Sequence, residues 1–222
     1  MLKQKSSEYR GYRTAGIRLS EEMVPMLGKL YADRTRILQP AVHAFDKAHT
    51  VMLAEGGLLE ARYAAPILRG LRKLEGEGVV EARSKAGGGL HSGEQYLIRL
   101  LGEDVAGRFH VARSSGDLSS VGFNWVEREK LLAVMRATNR LRGVLIDLAR
   151  QNTGTILPGY TFGQQAQPMT LAHLWLSWVA TLGRDFDRVS GAYRRVNVSP
   201  AGSAIMVGSD FPVNRARTAE LL

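Results

Sequence analysis

The sequence contains no cysteine, which excludes disulfide bonds and thiolate metal ligands from this chain. It also lacks any apolar run close to the ~20 residues that a transmembrane helix needs. Residues 1–13 are polar and basic and do not have the apolar centre of a secretory signal peptide. These absences predict a cytoplasmic protein with no membrane partner.

Acidic residues are few relative to basic ones. The chain has 30 lysines and arginines against 21 aspartates and glutamates, which gives a formal net charge of +9. A basic surplus raises nucleic-acid binding as an alternative function. The basic residues are scattered, however, and no zinc-finger or RNA-binding motif accompanies them. We therefore expect no nucleic-acid partner. The excess positive charge is better explained by electrostatic attraction of a small anionic substrate.

Strand patterns are also missing, and most of the chain shows helical periodicity. After a loosely ordered arm over residues 1–20, Ser20 with acids in the next two positions predicts a helix start. That helix is expected to end near Leu38, where Pro40 interrupts it. Further helices are predicted over residues 41–56, 60–76, 91–101, 119–151 and 168–196, with a short one near the end. Residues 153–163 are expected to form a loop between the two longest helices.

These helices predict an all-α fold with two domains. Residues 1–118 would form a small N-terminal helical domain, and residues 119–222 would form part of a central bundle of long helices. The leucine and methionine side chains of the helix 119–151 follow one stripe. Two or three long helices cannot bury such stripes alone, so partner helices are expected.

A polar stretch around Arg113 is the first candidate for chemistry. The planar guanidinium of Arg113 can grip a carboxylate, and Ser114 and Ser115 with backbone N–H groups near a helix start suit an anion. The alternative is a well-capped loop with Asp117 or Ser119 as the cap. The local pattern favours the capped loop, and anion binding remains the alternative interpretation.

Two further polar segments follow. Residues 158–168 join two long helices and offer Thr161, Gln164 and Gln167, which could orient polar substrate groups or satisfy the backbone of a buried turn. Residues 195–203 are interpreted as a helix end followed by a turn, with a structural role.

In this order and at similar separations, the three segments resemble the patterns GRSRNDQ, GYTHLQRAQP and RVNVSPLGAG of the argininosuccinate lyases, in the fumarase/aspartase superfamily. Residues 211–222 resemble the FP-x-D-R…TAELL continuation of that family. Upstream, residues 47–53 resemble its KAH-x-x-ML helix, and His91 takes the place of the histidine in its E-D-x-H segment. The resemblance covers about residues 40–222.

The resemblance implies a homotetramer with a central helical bundle, in which each active site is assembled from three subunits. It implies an anti β-elimination in arginine biosynthesis. A base removes the proton next to a succinyl carboxylate, the carbanion is held as an aci-carboxylate, and the C–N bond breaks to give fumarate and an amine or guanidine. Donors aimed at the developing charge lower the barrier. No cofactor and no metal are expected.

The resemblance also implies roles for particular residues. Substrate binding is assigned to Arg113, Ser114, Ser115, Gln164, His91 and Lys47. The arginine and the two serines would bind the carboxylate, whereas His91 and Lys47 would line the site. Thr161 is the catalytic candidate and would contact the succinyl part together with Gln164. Structural roles are expected for His49, His110 and His173.

Three departures from the family pattern bear on activity. Phe162 replaces the histidine of the YTH motif, and phenylalanine can neither donate nor accept a proton. Gly116 replaces an asparagine that contacts the substrate. The GSS-x-M-P-x-K-x-N loop, which carries the serine base, has no counterpart in residues 1–222. A truncated lyase that is weak or inactive alone is therefore expected, and the alternative is a non-catalytic helical assembly protein on the same scaffold.

Overall fold

The computed structural model describes the backbone of residues 23–222 and the side chains from residue 35 onward. The arm predicted over residues 1–20 and the cap predicted at Ser20 lie outside the described residues. In chain order, the helices and strands are α1 (Met23–Glu55), α2 (Ala61–Gly76), α3 (Val79–Ala86), α4 (Ser92–Leu101), α5 (Glu103–Ala106), α6 (Ser115–Gln151), β1 (Ile156–Thr161), β2 (Gln164–Thr170), α7 (Leu171–Val196) and α8 (Arg215–Glu220). Two 3-10 turns, Gly89–His91 and Gly107–His110, precede α4 and α6.

The chain forms two compact units. The first comprises the residues up to Val126 together with Ser199–Leu222, and the second comprises Glu127–Val198. The predicted all-α class is confirmed, with one small β-hairpin added. The domain division predicted at residue 118 stays a prediction.

The expected interruption at Pro40 is wrong, because α1 continues through it as one helix. Pro40 has no N–H to donate to the carbonyl group one turn earlier, so one hydrogen bond of the helix is missing. The apolar side chains around it are buried on the first unit's core, including Leu38, Val42 and Phe45. We infer that this burial outweighs the missing hydrogen bond and keeps the helix continuous.

The expected loop at residues 153–163 is also wrong in part, because an antiparallel hairpin begins at Ile156. The two-residue turn consists of Phe162 and Gly163, whose φ angles are 51° and 76°. Positive φ at both central residues matches the twist of the flanking strands. The helix expected from residue 168 consequently begins at Leu171.

The core of the first unit lies where α1, α2 and α4 pack together. Its buried apolar residues include Met52, Leu53, Ile67, Leu71, Leu97 and Phe109. Gly70 allows α4 to approach α2, since a Cβ atom there would lie 2.5 Å from the Leu97 side chain. This packing holds α4 against α2, and the polar residues described below include Glu94 in the first turn of α4.

The second unit presents several large apolar side chains to solvent. They include Val134, Leu141, Val144, Leu176 and Trp178, each about half exposed. This exposure fits the expectation that the long helices pack against partners. None of the described helices is long and apolar enough to cross a membrane.

Candidate functional site

A buried carboxylate on α1 lies at the centre of the polar residues of the first unit. The Oδ1 atom of Asp46 accepts a 2.7 Å hydrogen bond from Nη1 of Arg113, and its Oδ2 atom accepts one from Arg83. Burial would raise the pKa of Asp46, but the charges and hydrogen bonds of the two arginines hold it below its usual value. Asp46 therefore stays ionised and binds both guanidinium groups.

Arg113, predicted to bind a substrate carboxylate, has a side chain that is only 2% exposed. Its guanidinium carbon lies 4.4 Å from the ring centre of Phe109 and 5.6 Å from that of Phe45. The aromatic contacts and the ion pair with Asp46 hold the group in one position. Its assignment to substrate binding stays a prediction.

Ser114 and Asp117 form a reciprocal cap at the start of α6. The Ser114 hydroxyl accepts hydrogen bonds from the N–H groups of Gly116 and Asp117, and Asp117 Oδ2 accepts one from the Ser114 N–H at 2.8 Å. This S-x-x-D arrangement is a capping box with aspartate in place of glutamate. The loop is capped as that interpretation expected, but the predicted cap residue is wrong: the helix begins at Ser115, so Ser114 is the cap, Asp117 is its partner in the first turn, and Ser119 lies inside the helix.

Asp117 also joins two of the segments selected from the sequence. Its Oδ1 atom accepts hydrogen bonds from the N–H groups of Gly202 and Ser203 and from the Ser203 hydroxyl, each at 3.1 Å. The Ser114 hydroxyl donates to the carbonyl oxygen of Ala204 at 2.6 Å. The segment 195–203, expected to be structural, is therefore anchored by its last residues to the stretch around Arg113.

Two buried histidines on α1 are held neutral. His49 Nε2 lies 2.8 Å from the carbonyl oxygen of Val111, and burial, assisted by the charge of Arg113, lowers the pKa of His49 to about 3. Burial, assisted by the charge of Arg83, lowers the pKa of His43 to about 4. Both therefore act as neutral polar groups at pH 7, which agrees with the structural role expected of His49.

Lys47 and His43 both reach Glu75 on α2. Lys47 Nζ donates a hydrogen bond to Glu75 Oε1, and His43 Nε2 lies 3.3 Å from the same oxygen. The side chain of Lys47 is about one third exposed. Lys47 thus ties α1 to α2, and its predicted place in the lining of the site stays a prediction.

His91 lies in a second cluster, at the start of α4. Its Nδ1 atom is 3.6 Å from Oε2 of Glu94, and Nδ1 of His110 is 3.2 Å from the same oxygen. Burial lowers the pKa of His91. Burial would raise the pKa of Glu94, but hydrogen bonds with His110 and His91 keep it below its usual value. The charge of Arg113 reaches this cluster and contributes to both shifts.

The predicted site residues fall into both units. Arg113, Ser114, Ser115, His91 and Lys47 belong to the first unit, and Thr161 and Gln164 belong to the second. Thr161 and Gln164 face each other as the last pair of the hairpin, and both are exposed. Phe162 beside them is fully exposed at 104%. The roles of Thr161 and Gln164 stay predictions.

Sequence reasoning missed Asp46, Arg83 and Glu94, although their side chains are at most 6% exposed. Asp46 directly precedes the KAH motif, and Glu94 follows His91 by three residues, so their positions close to these motif residues are a local signal for both. Arg83 lies in a polar stretch that resembles a solvated surface, and its burial depends on a partner 37 residues away.

Comparisons of the sequence with known proteins identify one family. The model of the family described as Lyase matches residues 19–222. Argininosuccinate lyase of Methanosarcina barkeri is 42% identical over 203 residues, which are 91% of this chain and 41% of that protein. Argininosuccinate lyase of Methanoculleus marisnigri is 38% identical over 220 residues, covering 98% of this chain and 44% of that protein.

Solved structures that resemble the fold of this chain include other lyases. A variant of EDDS lyase with bound fumarate has a TM-score of 0.77 and 31% identity, over 83% of this chain and 36% of that chain. A class II fumarase from Schistosoma mansoni, at 15% identity and a TM-score of 0.68, shares the fold over 84% of this chain and 43% of that chain. The chain spans about two fifths of the length of the curated relatives given above. It belongs to the lyase family of the fumarase/aspartase superfamily and is similar to the argininosuccinate lyases of that family.

Proposed function

We propose that this chain supplies the substrate-carboxylate-binding part of a C–N lyase that releases fumarate from an N-substituted aspartate such as argininosuccinate. The observation that carries the proposal is the link made by Asp117 between the stretch around Arg113 and the segment 195–203. Two segments that resemble lyase patterns are thereby held together, although 85 residues separate Asp117 from Gly202. The similarity to argininosuccinate lyases supports the same assignment.

In the proposed reaction, a base takes the proton on the carbon next to one carboxylate of the succinyl group. The electron pair left behind is delocalised into that carboxylate and then forms the new C=C bond as the C–N bond breaks. The amine or guanidine leaves with a proton, and fumarate remains. Cationic and N–H donors stabilise the charge that accumulates on the carboxylate oxygens, and Arg113 with the turn at Ser114 and Ser115 is the proposed source of those donors.

Thr161 and Gln164 are proposed to contact the succinyl part from the tip of the hairpin. We also propose a homotetramer in which each site draws on three subunits, as the resemblance to the argininosuccinate lyases implies. The exposed apolar side chains of α6 and α7 support association through the long helices. We further propose a cytoplasmic enzyme of arginine biosynthesis, in keeping with the absence of cysteine.

The experiment is a fumarate absorbance assay. The purified 222-residue chain is assayed alone and after co-expression with the remaining C-terminal part of the Methanosarcina barkeri argininosuccinate lyase. Argininosuccinate and several other N-substituted aspartates serve as substrates. We expect little activity from the chain alone and fumarate release from the mixed assembly. A folded mixed assembly that releases no fumarate from any of these substrates would contradict the catalytic proposal.

The second candidate is a non-catalytic helical assembly protein on the lyase scaffold. It is favoured by Phe162, which replaces a histidine of the family pattern and is fully exposed. Ser115 likewise stands where the GRSRNDQ pattern has its second arginine, so one cation of the pattern is missing. Light scattering combined with the fumarate assay distinguishes the two candidates, because both predict an oligomer but this alternative predicts that the mixed assembly releases no fumarate.

A further inference from the structure

Three metal-ligating side chains converge in the first unit. His91, Glu94 and His110 each direct one nitrogen or oxygen toward the others, and these three atoms all lie within 4.8 Å of one another. The side chains of His91 and Glu94 are 2% and 6% exposed, and that of His110 is 20% exposed. The imidazole rings of the two histidines have their centres 5.1 Å apart.

The separations of these atoms fit one small cation. Zinc binds imidazole nitrogen and carboxylate oxygen at about 2.0–2.2 Å, so a tetrahedral site holds its donor atoms about 3.3 Å apart. Here Glu94 Oε2 is 3.2 Å from Nδ1 of His110 and 3.6 Å from Nδ1 of His91. Two of the three distances between the donor atoms are therefore already close to this value, and all three lie within 4.8 Å.

The surrounding fold places the three residues before any ligand binds. His91 ends one 3-10 turn and Glu94 lies three residues later in the first turn of α4. His110 ends the other 3-10 turn, next to the fully buried Phe109. Leu97, also fully buried, fixes α4 one turn beyond Glu94. Ligands on packed short elements lose little conformational freedom on binding, which favours affinity.

We propose that His91, Glu94 and His110 bind a divalent transition-metal cation, with zinc as the best match. This site goes beyond the proposed lyase function, and it shares His91 with the residues expected to line the substrate site. Two imidazoles and one carboxylate suit zinc, whereas magnesium and calcium prefer oxygen ligands alone. Three protein ligands leave a fourth position for water, and the partial exposure of His110 gives the ion a route of entry. Asp46, which accepts a hydrogen bond from Arg113 at 2.7 Å and also pairs with Arg83, offsets part of the positive charge of these two arginines.

Zinc titration of the untagged 222-residue chain by calorimetry tests the proposal. Glu94→Gln and His110→Gln remove one ligand each, and His173→Gln removes an exposed histidine of α7 as the matched control. We expect about one zinc per chain in the wild type and in His173→Gln, and at least about tenfold weaker binding in the other two variants. Zinc is also expected to raise the Tm of the wild type, and magnesium is not.

Cobalt provides a second readout that needs no variant. Bound Co²⁺ in a four-coordinate site absorbs visible light more strongly than the hexaaqua ion, and zinc should displace it at a one-to-one ratio. Equal zinc binding in all four proteins would overturn the proposal, since the metal would then lie elsewhere. No zinc binding and no cobalt spectrum in the folded wild type would also overturn it, leaving a hydrogen-bonded cluster only.

Discussion

At the scale of single residues, the buried charge of Asp46 is the most consequential feature. It lies between two guanidinium groups that are themselves 0% and 2% exposed. Breaking a buried pair is costly because it leaves an uncompensated charge in a medium that solvates it poorly, whereas exposed pairs contribute little.

Asp46→Asn is therefore expected to lower the free energy of unfolding by about 3–5 kcal/mol. Urea denaturation followed by circular dichroism measures the change. Asp185→Asn is the matched control, because it breaks an exposed pair with Arg188 at 2.6 Å and should cost less than about 1 kcal/mol. Equal losses in the two variants would contradict the role given to Asp46.

The two neutral histidines predict a pH dependence. The pKa is about 4 for His43 and about 3 for His49, so both stay unprotonated in the folded chain while the unfolded chain takes up protons near pH 6.5. The unfolded state binds more protons as the pH falls, so stability falls too. Each group contributes up to ~1.4 kcal/mol per pH unit between about pH 6.5 and 4.

Urea midpoints at pH 7 and pH 5 measure this dependence, above the range where most carboxylates titrate. His43→Asn should flatten the profile relative to the wild type, and His173→Asn, at an exposed position, should leave it unchanged. A wild-type stability that does not change between the two pH values would show that these histidines are not held neutral by the fold.

The backbone conformation of Phe162 indicates strain at the tip of the hairpin. Its φ angle is 51°, a region in which bulky residues cost about 1–3 kcal/mol and asparagine is well tolerated. Its ring is fully exposed, so removing it sacrifices no packing. Phe162→Asn should therefore raise the free energy of unfolding by about 1 kcal/mol, as measured by thermal denaturation.

Phe211→Asn is the control for that measurement, because Phe211 is a half-exposed phenylalanine that is not among the residues with positive φ. No gain is expected from it. A loss of stability in Phe162→Asn would mean that the ring makes contacts that outweigh the backbone strain.

At the scale of helices and strands, the sequence predicted most of the longer helices but divided α1 in two and did not predict α3 or α5, and it predicted none of the long-range polar contacts. Apolar spacing places α2 and α6 to within a few residues, because that spacing is local. The ion pair between Asp46 and Arg113 joins residues 67 apart, so no local pattern reveals it. The hairpin was missed because proline and glycine interrupt β1 and glutamines dominate β2, so neither strand shows the alternation of apolar and polar residues that marks a strand.

The start of α6 shows how one residue serves two elements. Asp117 closes the capping box with Ser114 and holds the N–H groups of Gly202 and Ser203. Asp117→Asn cannot accept all of these hydrogen bonds, since one oxygen becomes an NH2 group. We expect amide hydrogen exchange at Gly202 and Ser203 to accelerate by at least about tenfold, corresponding to ~1.4 kcal/mol.

Ser119→Ala is the control for hydrogen exchange, because the Ser119 hydroxyl bonds only to the carbonyl oxygen of Gly116 among the contacts of the described chain. Exchange at Gly202 and Ser203 should not change in this variant. Unchanged exchange in Asp117→Asn as well would separate the segment 195–203 from the stretch around Arg113 and remove the main support for the lyase proposal.

At the scale of the whole molecule, the family, the fold and the order of the segments agree. The family pattern was visible in the sequence because three motifs kept their order and separations. The roles of individual residues were less visible, since Arg113 and Ser114 also make buried contacts that stabilise the first unit. The same side chains can therefore both stabilise the fold and bind the substrate, and only an activity measurement distinguishes these two roles.

The rate of fumarate release by the mixed assembly, with the chain as wild type and as Phe162→His, tests the central claim most directly. Histidine at this position restores a group that can exchange protons and that tolerates positive φ. We predict fumarate release from argininosuccinate or a related N-substituted aspartate, increased by about 10²-fold or more in Phe162→His. A folded, oligomeric assembly that releases no fumarate in either form would contradict the account.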